Sequence, residues 1–137
     1  MTVRPPPSPE TTAAIAGQVR LFNESGFARL LGMEILEASD GYSQVTMDCT
    51  GKMNPGGVAH GGAVFALADQ AFGIAANCCG VHRVAVSVTI HYIAPATGRL
   101  VAVARRVEDN GRTDTYRILV TEGDRLIAEF TGVAFRV

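Results

Sequence analysis

The residues of this chain that could do chemistry cluster in one stretch, NPGGVAHGGAVFALADQAFGIAANCCG, from Asn54 to Gly80. Its first half holds Asn54, and His60 between the pairs Gly56-Gly57 and Gly61-Gly62. Its second half is apolar but for Asp69, which stands among Ala66, Leu67, Ala68, Ala71 and Phe72. A run of Ala, Val, Phe, Leu and Ile is apolar on every face of a helix, so the pattern predicts an enclosed helix that starts near Gly61. The first N–H groups of a helix have no partner within it and lie at the positive end of its dipole, and glycine there lets another backbone or a ligand come close. A carbonyl oxygen gaining charge suits that place.

Asp69 is the exception in its helix, because a carboxylate is a poor helix former and costs free energy to bury without partners. The residues alone admit two readings. Either Asp69 faces a polar seam and takes a hydrogen bond from Gln70 or Ser87, or it works as an acid or base. Spacing constrains the second reading. Nine positions after His60 amount to about 13 Å of axial rise and about half a turn, so the two side chains cannot meet one small group within one subunit. A shared site requires two copies, with the helix start of one facing the helix middle of the other. The expectation is an obligate dimer with two equivalent sites.

The order Asn54, His60-Gly61-Gly62, Ala68-Asp69, Ala71-Phe72, Ala76-Asn77 and Gly80 resembles the hotdog-fold acyl-CoA thioesterases, and within them the phenylacetate-catabolism group. The segments AVSVTIHYIAPA and NGRTDTYRILVTEGDRLIAEFTGVAF fit the same family, so the resemblance covers nearly all the chain beyond Gly26. His-Gly-Gly followed by Ala-Asp at this spacing is its specific part. The resemblance implies an α+β hotdog fold, a curved antiparallel sheet of about six strands around one long helix. It implies Asp69 as general base or nucleophile and the Gly61 backbone N–H as oxyanion donor, drawn from opposite subunits. Asn54 would position the water or the thioester carbonyl, and His60 would orient the loop and polarise the carbonyl, with Gly62 beside them at the substrate.

Coenzyme A carries phosphates that need a basic residue on the rim. Asn110-Gly111-Arg112-Thr113, with the loop from Ala94 to Arg99 next to it, is the best local fit, and both correspond to coenzyme-contacting segments of the family. Arg105, Arg106 and Arg117 are alternatives. No cofactor is implied beyond the coenzyme A thioester that is the substrate, and no metal. The oligomer implied is a homodimer with shared sites, paired into a homotetramer.

The elements that must position these residues follow from the rest of the chain. Pro5-Pro6-Pro7 and Pro9 make residues 1–10 an extended, disordered lead. Residues 11–137 read as a single hotdog domain. Thr11 or Thr12 can cap a first helix through Ile15, Val19 and Phe22, with a further turn at Phe27 to Leu31. Met33 to Ala38 and Tyr42 to Cys49 read as a hairpin joined at Ser39-Asp40-Gly41. After the central helix, Val84, Val86, Val88, Ile90 and Tyr92 alternate with Ala85, Ser87, Thr89 and His91, which predicts a half-buried strand that stops at Pro95. Arg99 to Val107, Thr113 to Glu122 and Leu126 to Phe135 supply three more strands between turn residues.

With 12 basic and 13 acidic residues scattered along the chain, there is no footprint for nucleic acid or an anionic membrane. No stretch is apolar and long enough to span a bilayer, and the start lacks the apolar core of a signal peptide, so the expected location is the cytoplasm. Cys49, Cys78 and Cys79 match neither a disulfide framework nor a zinc spacing and read as small packing residues. The expected activity is hydrolysis of phenylacetyl-CoA or a ring-hydroxylated relative. The alternatives are a hotdog protein that only binds acyl-CoA and a hydratase on the same fold, the latter using His60 and Asp69 together.

Overall fold

The computed structural model of the protein describes residues 8–137. The first helix, α1 (Pro9–Glu24), starts ahead of the expected Thr cap. Proline suits a first helical position because its φ is already helical and its missing N–H would have had no partner. Thr12 stands in the first turn, with its N–H and its hydroxyl both donating to the Ser8 carbonyl at 2.9 and 3.0 Å. The end of the expected disordered lead is therefore helical, and residues 1–7 of that lead lie outside the described residues. A short α2 (Gly26–Leu31) follows, capped by Ser25, whose hydroxyl accepts the Ala28 N–H, and closed by Gly32 at φ 65°.

The hairpin of β1 (Glu34–Ser39) and β2 (Tyr42–Asp48) precedes α3 (Gly61–Asn77), and β3 (Arg83–Tyr92), β4 (Arg99–Asp109), β5 (Thr113–Glu122) and β6 (Arg125–Arg136) complete the chain. The strands form one sheet in the order β1-β2-β4-β5-β6-β3, antiparallel throughout. Helix α3 lies across one face, which is the arrangement the resemblance implied. Its Leu67, Ala71, Phe72 and Ile74 pack with Val45, Met47, Leu100, Ile118 and Phe130 from the strands in a single apolar core. The Phe72 ring meets Tyr116 edge-on, with centroids 5.2 Å apart at 88°. Beneath it lies Gly132 of β6, where a Cβ would come within 2.6 Å of the ring. Cys49 and Cys78 are buried among these apolar groups and all three thiols are free. Burial pushes the Cys78 thiol up to about 12, which makes it a poor nucleophile.

Two sequence expectations change. Helix α3 is not enclosed all round, because Gly62 and Asp69 are exposed and Gly73 is only partly buried along one stripe. The alternation of β3 also breaks, since pairing with β6 shifts between Ala85 and Ser87. The extra residue, Val86, turns Val84 to the face shared by Ser87, opposite Phe135 and Val133, while Val88, Ile90 and Tyr92 face the helix.

Strand β3 is tied to α3 at both ends. The Tyr92 hydroxyl donates to the Gly61 carbonyl at 3.0 Å. At the other end Arg83 donates its N–H to Asn77 Oδ1 at 2.7 Å and its Nη1 to the Ala76 carbonyl at 2.6 Å. Arg83 also meets the fully buried Asp114, Nε to Oδ2 at 2.5 Å. The Nε–H is not aimed along that contact, and Asp114 Oδ1 accepts no hydrogen bond, so the pair is held by charge more than by directed bonding. Arg106 Nε lies 3.3 Å from the same carboxylate, and Tyr116 donates to it at 3.2 Å.

Candidate active site

The segment ahead of α3 is shaped by one device used twice. Asn54 Oδ1 accepts the Gly56 N–H at 2.9 Å, and His60 Nδ1 accepts the Gly62 N–H at 2.8 Å. In both turns the side chain folds over the residue two positions on, where glycine leaves room for it. A Cβ at Gly56 would lie 3.2 Å from Asn54 Oδ1, and one at Gly62 would lie 3.0 Å from His60 Nδ1. Two bridges then fasten the segment: the Asn54 N–H donates to the Val58 carbonyl, and the Ala59 N–H to the Ala96 carbonyl, each at 2.8 Å.

His60 is the N-cap of α3. Its ring takes the Gly62 N–H, and its carbonyl takes the Ala63 and Val64 N–H groups at 2.9 and 3.2 Å. Among the described residues nothing takes the Gly61 N–H, which leaves one backbone donor at the positive end of a 17-residue helix. Because Nδ1 of His60 is an acceptor, the proton of the neutral ring belongs on Nε2, so His60 presents a second donor and no free base. The Asn54 amide oxygen is spent on its loop, so its NH2 is the group left to offer.

Asp69 stands eight positions after Gly61, about 12 Å along the axis. It makes no hydrogen bond to Gln70 or Ser87, nor any ion pair among the described residues. Ser87 lies on the sheet face away from α3. The surrounding apolar helix desolvates the Asp69 carboxyl and pushes its pKa above the ordinary value of 3.8. Within one chain, then, the structure brings Asn54, His60, Gly61 and Gly62 together and leaves Asp69 apart, as the spacing required.

Arg112 and Thr113 lie in the β4–β5 turn, where Asn110 Oδ1 accepts both their N–H groups at 3.1 and 2.8 Å. The Arg112 guanidinium has no partner among the described residues, whereas Arg106 holds Asp40 and Asp114, Arg117 holds Glu129, and Arg105 stacks 4.7 Å over Tyr42. The 94–99 loop is not its neighbour. The two stand at opposite ends of β4, an 11-residue strand and so about 35 Å long.

Three contributors to the helix start gave no local signal in the sequence. Tyr92 holds the Gly61 carbonyl. Glu122 Oε2 accepts the Thr97 and Gly98 N–H groups at 2.9 and 3.1 Å, and Arg125 donates to the Pro95 carbonyl at 2.5 Å. Together they pin the loop against which the glycine segment lies. Among the described residues no three His, Cys, Asp or Glu side chains converge as a metal site requires, and no helix is long and apolar enough to cross a membrane.

A six-stranded antiparallel sheet wrapped against one long helix with a glycine-rich start defines a hotdog fold. Comparison narrows the class: residues 56–129 match the thioesterase superfamily, and the chain belongs to that family as a thioester hydrolase. The acyl-coenzyme A thioesterase PaaI of Escherichia coli strain K12 is 33% identical over 121 residues, which span 85% of this chain and 86% of that one. The structure of the E. coli PaaI protein from the phenylacetic acid degradation operon superposes with a TM-score of 0.86, at 28% identity, over 93% of this chain and 95% of that one. A mutant of the phenylacetic acid degradation protein PaaI from Thermus thermophilus superposes with a TM-score of 0.79, at 36% identity, over 82% of this chain and all of that one, 100%.

Proposed function

We propose that the protein hydrolyses acyl-CoA thioesters, with phenylacetyl-CoA or a ring-hydroxylated relative as the preferred substrate, in a homodimer whose two sites each draw on both chains. The observation that carries the reading is the pairing of an unused Gly61 N–H with an unpartnered Asp69 about 12 Å away on the open stripe of the same helix. Each is half of a site, and a second copy supplies the other half. The thioester carbonyl oxygen rests on Gly61 N–H, with His60 Nε2–H and the Asn54 amide as further donors. Asp69 of the second copy takes a proton from water as the water oxygen bonds to the carbonyl carbon. The carbonyl electron pair moves onto the oxygen at Gly61, then returns and breaks the carbon–sulfur bond. The thiolate leaves and takes up the proton, giving free acid and coenzyme A. The same position would let Asp69 attack directly, with water cleaving the resulting anhydride.

The edge strand supports the dimer. Among the described residues strand β3 ends the sheet with an unpaired edge, and its Val86 and Tyr92 are 59% and 55% exposed in the single chain. Antiparallel pairing of β3 with a second β3 would place the Arg83 end of one chain beside the Tyr92 end of the other. Arg112 would then reach the neighbouring helix start, as a phosphate contact must, and two such dimers would make the tetramer. Thiol release from a panel of phenylacetyl, hydroxyphenylacetyl, benzoyl and straight-chain acyl-CoAs tests the proposal. The largest kcat/KM is expected for the phenylacetyl esters. Preference for straight chains would discard the aromatic assignment, and no release from any ester would discard hydrolysis of acyl-CoA.

A further inference from the structure

We infer that the groove between α2 and the start of α3 is the acyl pocket, and that Phe27 and Met53 on its walls set the preference for an aromatic acyl group. The inference rests on the acyl-CoA reading above and adds the direction in which the substrate lies. A thioester carbonyl has two substituents, and two depressions flank the Gly61 N–H that would bind its oxygen. One, about 340 Å³, is lined by Val58, Val64, Tyr92 and Pro95 at the Tyr92 end of β3. The other, about 390 Å³, is lined by Phe27, Leu31, Met53, His60, Gly62 and Ala63, with Lys52 at its side.

Charge distinguishes them. The coenzyme arm ends in phosphates and must run toward an unpaired cation. The β3 side leads to the chain–chain edge, where Arg112 of a second copy would arrive. On the walls of the α2 side the one cation is Lys52, and Arg29 of the same helix, α2, does not line the groove. Its Lys52 ammonium is already turned onto the Asp48 and Thr50 carbonyls at 2.8 and 3.2 Å. Tyr92 and Ile93 on the β3 side are exposed too, but at the edge that a second copy would cover, whereas the apolar surface of the α2 side lies away from that edge. Phe27 is 59% exposed and Met53 37%. An aromatic ring seated there gains an edge-to-face partner in Phe27 and a thioether contact in Met53. Phe27 is also well fixed, since α2 is capped at both ends and Ala28 beside it is 1% exposed.

The test uses the full-length enzyme with Phe27→Ala and Met53→Ala, at positions open enough that truncation leaves folding intact. Phe27→Ala should lower kcat/KM for phenylacetyl-CoA by about tenfold or more and leave acetyl-CoA within about twofold, as pocket contacts of this size do. Product inhibition separates the two arms. The inhibition constant of free phenylacetate should rise about tenfold in the variant while that of free coenzyme A stays unchanged. A rise for coenzyme A instead, an equal loss on every ester, or no change in either variant would overturn the assignment while leaving thioester hydrolysis standing. Absence of turnover by the unaltered enzyme on every ester would instead remove the reading on which the inference rests.

Discussion

Two carboxylates in this protein sit in opposite circumstances. Asp114 is fully buried, with Arg83 at 2.5 Å, Arg106 at 3.3 Å and the Tyr116 hydroxyl at 3.2 Å. Asp69 touches no cation and no hydrogen-bond donor among the described residues, yet apolar surroundings raise its pKa. The contrast separates a carboxylate whose charge is consumed by the fold from one whose lone pairs are kept for something outside the chain. Desolvation costs both of them, but only Asp114 has it offset at home. Asp69 is left with a carboxylate more basic than usual and free to accept a proton, which is the condition a general base needs.

Substitution at the two positions should split activity from stability. The largest effect is expected at Asp69: Asp69→Ala should lower kcat by about 10²–10⁴-fold, the contribution of a positioned base, with an unchanged melting temperature. Mixing that variant with Asn54→Ala subunits, so that chains exchange, should restore about a quarter of the activity, because half the dimers are mixed and each holds one intact site. No restoration would place both residues of a site on one chain. Asp114→Asn should do the reverse. Loss of one partner in a buried ion pair costs about 3–5 kcal/mol, or roughly 10–15 °C in melting temperature for a chain of this size, while kcat of the folded enzyme at low temperature stays near the original. A large loss of kcat without a loss of stability would make Asp114 part of the chemistry.

The smallest effect is in pH. As the proposed base, Asp69 would have to be ionised, so kcat/KM should rise with pH through a midpoint above 3.8, the ordinary value. Asp69→Asn should abolish that limb. The folded state holds this proton to higher pH than the unfolded one, so the contribution of Asp69 to stability is most favourable below the unfolded pKa and declines as pH rises through the folded one. The Asn variant should lose that decline, as measured by urea unfolding across the acid range.

The same pair shows what a sequence discloses. Asp69 was legible because it interrupts an apolar helix, and the start of α3 because glycines bracket His60. Asp114 was not, since it stands near the start of the strand read from Thr113 to Glu122, beside the Asn-Gly-Arg turn, and its inward turn depends on strand pairing. The bond from Tyr92 to Gly61 spans 31 positions and the one from Thr97 to Glu122 spans 25, beyond any local pattern. The bulge at Val86 was hidden by a perfect alternation in the letters, because register is decided by the partner strand β6. The turns at Asn54 and His60 could have been read from the glycine two places after each.

Gly132 has a wider consequence. The Phe72 ring occupies the space its missing Cβ would take, so the bare backbone of β6 fixes how deeply α3 beds into the sheet. Asp69 is three residues from that ring and Gly61 shares the same rigid rod. A methyl group at Gly132 would lift both halves of the site at once. With the proposed pocket, substrate preference would be free to drift at the rim, at Phe27 and Met53, while the tolerance of the chemistry itself would be set by a residue with no side chain.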